Sequence, residues 1–287
     1  MHRTYQRRNQ TSPRREAAYI TDDAEDESTS SPPGAPRGRR AAPALYDGAI
    51  YDGEYGDGNI AGLILAAGKR KSGKTFLGWD EVALICRHRR VIFDTLDQYT
   101  AEKGYNLRGW TIVHQPGELK QLLARSIHSD TLKVIYKPMS GDKKIHFRAV
   151  TRVVLNYGTK SLGVIYLVDE VDKFCSPKEE LKKACPPLHD LVEYGRHFKV
   201  SCFFTTRRPH KVSRDLTAEC AEFRIFKTTE PRDKDYFEEF IGSAVEMLPK
   251  LGKYEYVWWI DDAHREAEVR GGPKKRGAIH DNEPNPR

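Results

Sequence analysis

Between residues 60 and 260 the chain alternates short apolar runs with amphipathic stretches. "IAGLILAA" (60–67) and the apolar body of "GVIYLVDE" (163–170) are nearly continuous, as a strand buried on both faces of a parallel sheet must be. "RVIFD" (90–94), "TIVH" (111–114), "LKVIYKP" (132–138), "KVSCFFTT" (199–206), "EFRIFK" (222–227) and "YEYVWWI" (254–260) predict further strands. Helical spacing runs over 74–86, over 117–127, and from the end of the 132–138 strand to about 156. Ser176, Pro177 and Glu179 have the form of a helix start, with Ser176 as N-cap and Glu179 at the capping-box position. In the last strand Tyr254, Tyr256 and Trp258 alternate with Glu255, Val257 and Trp259, giving two aromatic-rich faces suited to a core or a subunit seam. Strand–helix alternation over this length predicts an α/β fold with a mostly parallel sheet and helices on both faces.

Outside this region the pattern stops. Residues 1–58 run from an arginine cluster (Arg3, Arg7, Arg8, Arg14, Arg15) through acids to "STSSPPGAPRGRRAAP". Such a segment buries too little apolar surface to offset its ordering entropy. The expected organisation is a disordered tail at 1–58, one domain at 59–269 and a second disordered tail at 270–287.

Composition narrows the class. Of 287 residues 31% are charged, with a formal net charge of +7 and a pI near 9.0, compatible with a nucleic-acid partner. No run of eighteen apolar residues predicts a transmembrane segment, and "MHRTYQRRNQ" has no apolar signal core. Five scattered cysteines (Cys86, Cys175, Cys185, Cys202, Cys220) predict reduced thiols. Cys175, Cys185 and His189 lie near one another in sequence but fit no common zinc spacing, so buried thiols are the expected reading.

The chemistry lies in "AAGKRKSGKTFL" (66–77), which contains G-x-x-x-x-G-K-T. An apolar strand ends at Ala67 and helical spacing follows, the context a phosphate-binding loop requires. Gly68 and Gly73 permit the backbone angles that turn N–H groups, including that of Ser72, inward around a phosphate. Lys74 is placed to reach the β- and γ-phosphates, and Thr75 to ligate Mg²⁺. At the tip of a second apolar strand stand Asp169, placed for the Mg²⁺ shell, and Glu170, placed to activate a water. An Asp-Glu tip predicts a P-loop NTPase of the additional-strand catalytic-glutamate (RecA/HerA-like) type. The intervening strand is then "KVSCFFTT", whose end at Thr205, Thr206 and Arg207 falls between the two motifs.

The order of these motifs, with "YGRHFKVSCFFTTRRPHKVSRDL" (194–216) and "VIFDTLDQY" (91–99), resembles the HerA/FtsK superfamily of DNA-pumping ATPases. The chain is particularly similar to the compact genome-packaging ATPases of tailless icosahedral viruses with an internal membrane. The resemblance covers roughly residues 60–260. It implies ATP and Mg²⁺ as cofactors, self-association into a ring (pentamer or hexamer), sequence-nonspecific double-stranded DNA as substrate and capsid vertex proteins as partners. The implied location is the host cell cytoplasm or the virion. Arg196 is the implied arginine finger, acting on a neighbour's nucleotide. Where the family usually carries Gln before the Arg-Pro pair this chain has Arg207, implying either a γ-phosphate contact or a second finger; Arg208 follows it. Lys137 with "SGDKK" (140–144), and "PKEELKKA" (177–184), are the loops open to DNA or to solvent. The alternatives are a cellular or plasmid motor of the same superfamily, a filamentous-phage assembly ATPase, and a monomeric small-molecule P-loop kinase.

Overall fold

The computed structural model describes residues 62–80, 89–129, 131–139, 141–158, 163–195, 197–261 and 266–271. In chain order these form β1 (Leu63–Ala67), α1 (Lys74–Trp79), β2 (Arg89–Phe93), β3 (Thr111–Val113), α2 (Pro116–Arg125), β4 (Lys133–Tyr136), α3 (Lys143–Gly158) and β5 (Val164–Val168). There follow α4 (Leu181–Ala184), α5 (Pro186–Tyr194), β6 (Val200–Thr206), α6 (Arg214–Ala218), β7 (Glu222–Phe226), α7 (Pro231–Ile241), β8 (Glu255–Ile260) and β9 (Glu268–Gly271). The strands make one sheet in the order β3-β4-β2-β5-β6-β1-β7-β8-β9. Pairing is parallel from β3 to β7, and β8 and β9 add antiparallel. This is the expected α/β class, and the expected strand, β6, lies between β1 and β5.

Side-chain alternation along each strand divides the interior into two cores. Leu63, Leu65, Val91, Phe93, Tyr166 and Phe204 face α2, α3, α5, α6 and α7. Ile64, Ala66, Ile92, Ile165, Leu167, Phe203, Tyr256 and Trp258 face α1 and the aromatic side chains beyond it. Trp79 at the end of α1 meets Tyr99, Tyr105 and Trp110 at ring separations of 5.7, 5.0 and 5.0 Å. The two faces expected of the last strand are therefore both core faces. Helix α1 approaches the sheet closely because Gly78 has no side chain: a Cβ there would meet Leu167 Cδ1 at 2.9 Å and Phe203 Cε1 at 3.0 Å.

A buried arginine ties three elements together. Arg89, 0% exposed at the start of β2, donates to Leu123 O in α2 (3.3 Å), to Gly163 O before β5 (3.4 Å) and to Tyr157 O in α3. Leu123 and Tyr157 lie in the last turns of their helices, where carbonyls have no intrahelical donor. Burial lowers the Arg89 pKa to about 10.

Three expectations met a different outcome. No helix starts at Ser176. Lys178 N bonds Ser176 Oγ (3.2 Å) in a turn, and α4 begins at Leu181, whose N–H is taken by Asp215 Oδ2 of α6 (3.2 Å). Strand β9 runs through Arg270 and Gly271, two residues beyond the expected end of the domain. Tyr254 precedes β8 and has a positive φ of 68°. The expected tail at 1–58, residues 272–287 of the other, and residues 81–86 of the first predicted helix lie outside the described residues. Among the described residues no helix is long and apolar enough to cross a membrane.

Candidate nucleotide site

The strand order brings the motifs to one edge. Ala67 of β1 pairs with Thr206 of β6, and Val168 of β5 pairs with Phe204, so all three strands end together. The loop leaving β1 turns back at Gly68 (φ 150°), Lys71 (φ 65°) and Gly73 (φ 115°) before α1. Both glycines are also required by space: a Cβ on Gly68 would meet Phe226 Cβ at 2.7 Å, and one on Gly73 would meet Tyr254 Cδ1 at 2.9 Å. Gly68 N donates to Thr206 O (3.2 Å), fixing the loop to β6.

Lys74 folds back into this loop. Its Nζ donates to Gly68 O (2.7 Å) and Lys69 O (2.8 Å), with Ser72 Oγ at 3.4 Å. The residue is 6% exposed, and its pKa is lowered to about 8, chiefly by burial, with Asp169 opposing and Arg207 adding to the shift. Thr75 Oγ1 stands 3.5 Å from Asp169 Oδ1.

Asp169 and Glu170 follow β5. The Asp169 carboxyl is raised to about 6, first by burial, with the Thr205 hydrogen bond acting against it. Thr205 Oγ1 donates to Asp169 Oδ1 (2.7 Å) and accepts the Glu170 N–H (3.0 Å), so one hydroxyl at the end of β6 positions both acids. Thr95, beyond β2, supports them from the other side by donating to Asp169 O (2.6 Å). Asp94 closes the turn after β2, accepting from Gln98 N (2.7 Å) and Tyr99 N (3.0 Å).

Glu170 is a non-glycine residue at φ 56°, ψ 59°. Left-handed backbone of this kind costs on the order of 1–3 kcal/mol and is concentrated at functional sites. Its carboxylate, 7% exposed, is held by two cations: Arg207 Nη2 on Oε1, and Lys173 Nζ on Oε2 at 2.6 Å. Arg207 therefore lies beside the acid of its own chain. Arg208 N bonds Thr206 Oγ1 (3.1 Å), which donates in turn to Asp172 Oδ1 (2.9 Å). Arg196 lies outside the described residues; its neighbours Gly195 and His197 are at the opposite end of β6.

The residues fit a Mg²⁺–nucleotide. Thr75 and Asp169 offer hard oxygen ligands of the kind that hold Mg²⁺ beside phosphate. Asp169 bears a burial cost that a cation relieves. At the tip of β7 the buried Thr228 Oγ1 has no hydrogen-bond partner, and its neighbour Thr229 accepts from Lys69 of the loop. Sequence reasoning missed Lys173, whose role depends on a side-chain conformation, and the double bond of Thr205, which requires knowing that β6 and β5 are neighbours in register.

The other sequence candidates are more ordinary. Lys137 pairs with Asp97 (2.5 Å) and Lys143 Nζ donates to Thr95 O (2.8 Å), leaving Lys144 exposed in that loop. Lys183 pairs with Glu180 (3.0 Å) across one turn of a solvated face. Cys175 Sγ donates to Val171 O (3.3 Å), and burial pushes its thiol up to about 12.

No protein-family model and no curated protein matches the sequence. Solved structures match the fold. The genome packaging NTPase B204 from Sulfolobus turreted icosahedral virus 2, in complex with sulfate, superposes with a TM-score of 0.58 at 14% identity, over 75% of this chain and 98% of that one. Its complex with ATP-gammaS gives 0.55 at 14% identity, over 74% and 98%. VirB4 of Thermoanaerobacter pseudethanolicus gives 0.51 at 11% identity, over 74% and 90%. The chain thus shares the P-loop NTPase fold of these proteins, a mostly parallel sheet with helices on both faces, as the sequence implied.

Proposed function

We propose that the protein is an ATPase that drives double-stranded DNA, working as a ring, and that its task is to package a viral genome. The observation that carries the reading is the convergence of Lys74, Thr75, Asp169 and Glu170 at one sheet edge, with β6 between the two motif strands. In this reading Gly68, Ser72, Gly73 and Lys74 bind the phosphates, and Thr75 and Asp169 hold Mg²⁺. Bound Mg²⁺ supplies charge neutralisation on the phosphates. Glu170 orients and deprotonates the attacking water. Arg207 serves the γ-phosphate in cis, and Arg196 serves it in trans. The likeness to the viral packaging NTPase and the basic balance of the chain support DNA as the substrate. Contacts to the duplex would then be phosphate contacts, sensitive to salt and indifferent to sequence.

The fold shared with VirB4 favours a second reading, a cellular or plasmid motor of the same type. Both motors predict ATP turnover that rises steeply with protein concentration and with added duplex of any sequence, and rings by negative-stain imaging. A monomeric kinase predicts turnover proportional to enzyme and indifferent to DNA. Lys74→Ala is expected to abolish nucleotide binding or turnover. Glu170→Gln is expected to bind ATP and hold it unhydrolysed. Wild-type turnover in Glu170→Gln would remove Glu170 from the role of base. Packaging into capsids of the cognate virus, present with this chain and absent without it, separates the viral reading from the cellular one.

A further inference from the structure

We infer that Arg207 is an exchangeable latch on Glu170, released when the γ-phosphate of ATP takes its guanidinium, and that Lys173 is the fixed partner that keeps Glu170 oriented afterwards. The inference rests on the nucleotide reading above and adds how the same site is switched.

The two cations are placed differently. Lys173 ends the 3-10 turn Val171–Lys173 that begins beside Glu170, and it pairs across that turn as an i,i+3 neighbour. It moves with Glu170. Arg207 comes from another strand, one residue past Thr206, which pairs with Ala67 at the mouth of the phosphate loop. Its guanidinium pairs with Glu170 beside the mouth of that loop. The backbone beneath it is fixed by Gly68 N on Thr206 O, by Thr206 on Asp172 and by Arg208 N on Thr206. Its freedom is therefore in its own side chain, which is 39% exposed.

A guanidinium prefers a phosphate to a lone carboxylate when both are in reach, because it can present two parallel N–H donors to a more highly charged group. While Arg207 is on Oε1, a water approaching Glu170 competes with an ion pair on each oxygen. Transfer of Arg207 frees Oε1 for the water. Lys173 on Oε2 still holds the carboxylate in place. ADP has no γ-phosphate, so it leaves the latch closed.

The test uses binding. Dissociation constants for ADP and for a non-hydrolysable ATP analogue, both with Mg²⁺, are measured on the full chain by calorimetry. The variants are Glu170→Ala, Glu170→Gln, Arg207→Met, the Glu170→Ala/Arg207→Met double variant and Lys173→Met. In Glu170→Ala the guanidinium starts without its carboxylate, so the analogue is expected to bind about tenfold tighter while ADP binds as in the wild type. Glu170→Gln, which keeps the side chain's shape, is expected to shift the same way by less. In Arg207→Met the preference for the analogue over ADP is lost, and adding Glu170→Ala changes it no further. Lys173→Met is expected to keep the wild-type preference and lose turnover, with recovery in Lys173→Arg. An unchanged preference in both Glu170 variants overturns the latch. An equal gain without Arg207 does so too, since it shows plain repulsion between Glu170 and the phosphate. A wild type that binds neither nucleotide sinks the nucleotide reading, and the latch with it.

Discussion

Single hydroxyls and carboxyls set the character of the site. Thr205 bonds Asp169 and the Glu170 amide at once, so Thr205→Val leaves the Glu170 N–H without that partner and Asp169 Oδ1 with only the long contact to Thr75 at 3.5 Å. The expected cost is on the order of 2 kcal/mol in stability, with turnover reduced about tenfold or more and ATP affinity little changed; steady-state kinetics and thermal melts check both. Asp169 gives a pH signature in nucleotide-free protein kept in chelator. Its carboxyl titrates near 6 when folded and near 4 when unfolded. Between those values the folded state holds a proton the unfolded state has released, so stability falls as pH rises from about 4 to about 6. The cost is fully present above that window. Asp169→Asn is therefore expected to melt higher than the wild type at pH 8, by on the order of 2–3 kcal/mol, and level with it near pH 4. Equal melting at both values would show that burial does not perturb this acid.

At the scale of elements, Arg89 and Gly78 hold the frame on which those side chains sit. Arg89→Met removes three hydrogen bonds at once, to Leu123 O in α2, to Tyr157 O in α3 and to Gly163 O before β5. A loss on the order of 3 kcal/mol is expected, seen as a fall in melting temperature of roughly 10 °C. The central strands were legible in sequence because a strand buried on both faces has no polar alternation to confuse with anything else; β1, β5 and β6 all have that form. The helix start at Ser176 was not, because a local cap competes with partners the sequence does not show, and Asp215 captured the Leu181 N–H instead. Strand β9, "EVRG", has no apolar run at all: it is an exposed edge held by pairing to β8. The phosphate loop and the Asp-Glu tip were legible as local spacing. The bonds of Thr205, Lys173 and Arg207 to those acids were not, since they depend on strand order and on side-chain conformation.

The whole-molecule question is how copies meet. Gly195 and His197 lie at the entry to β6 and the phosphate loop lies at its exit, separated by seven strand residues, roughly 20 Å. If Arg196 is the finger of the proposed ring, its action on a γ-phosphate is expected in trans, on another copy of the chain. Arg196→Ala is expected to keep ATP affinity and lose turnover by about 10³-fold or more. Mixing it with Lys74→Ala should restore activity at interfaces that combine an intact loop with an intact finger. A dead mixture in which rings still form would exclude Arg196 as the finger. If the mixture revives, β6 acquires a second meaning. Flanked by β5 and β1 and buried along its whole length, it resists bending and cannot slip without breaking ladders on both sides. One end then answers to a neighbour's nucleotide and the other, through Arg207, to its own. A strand pinned along both sides couples its two ends, and such coupling is reciprocal, so in that ring the nucleotide held by one subunit would bias the site of the next as strongly as it is biased in return.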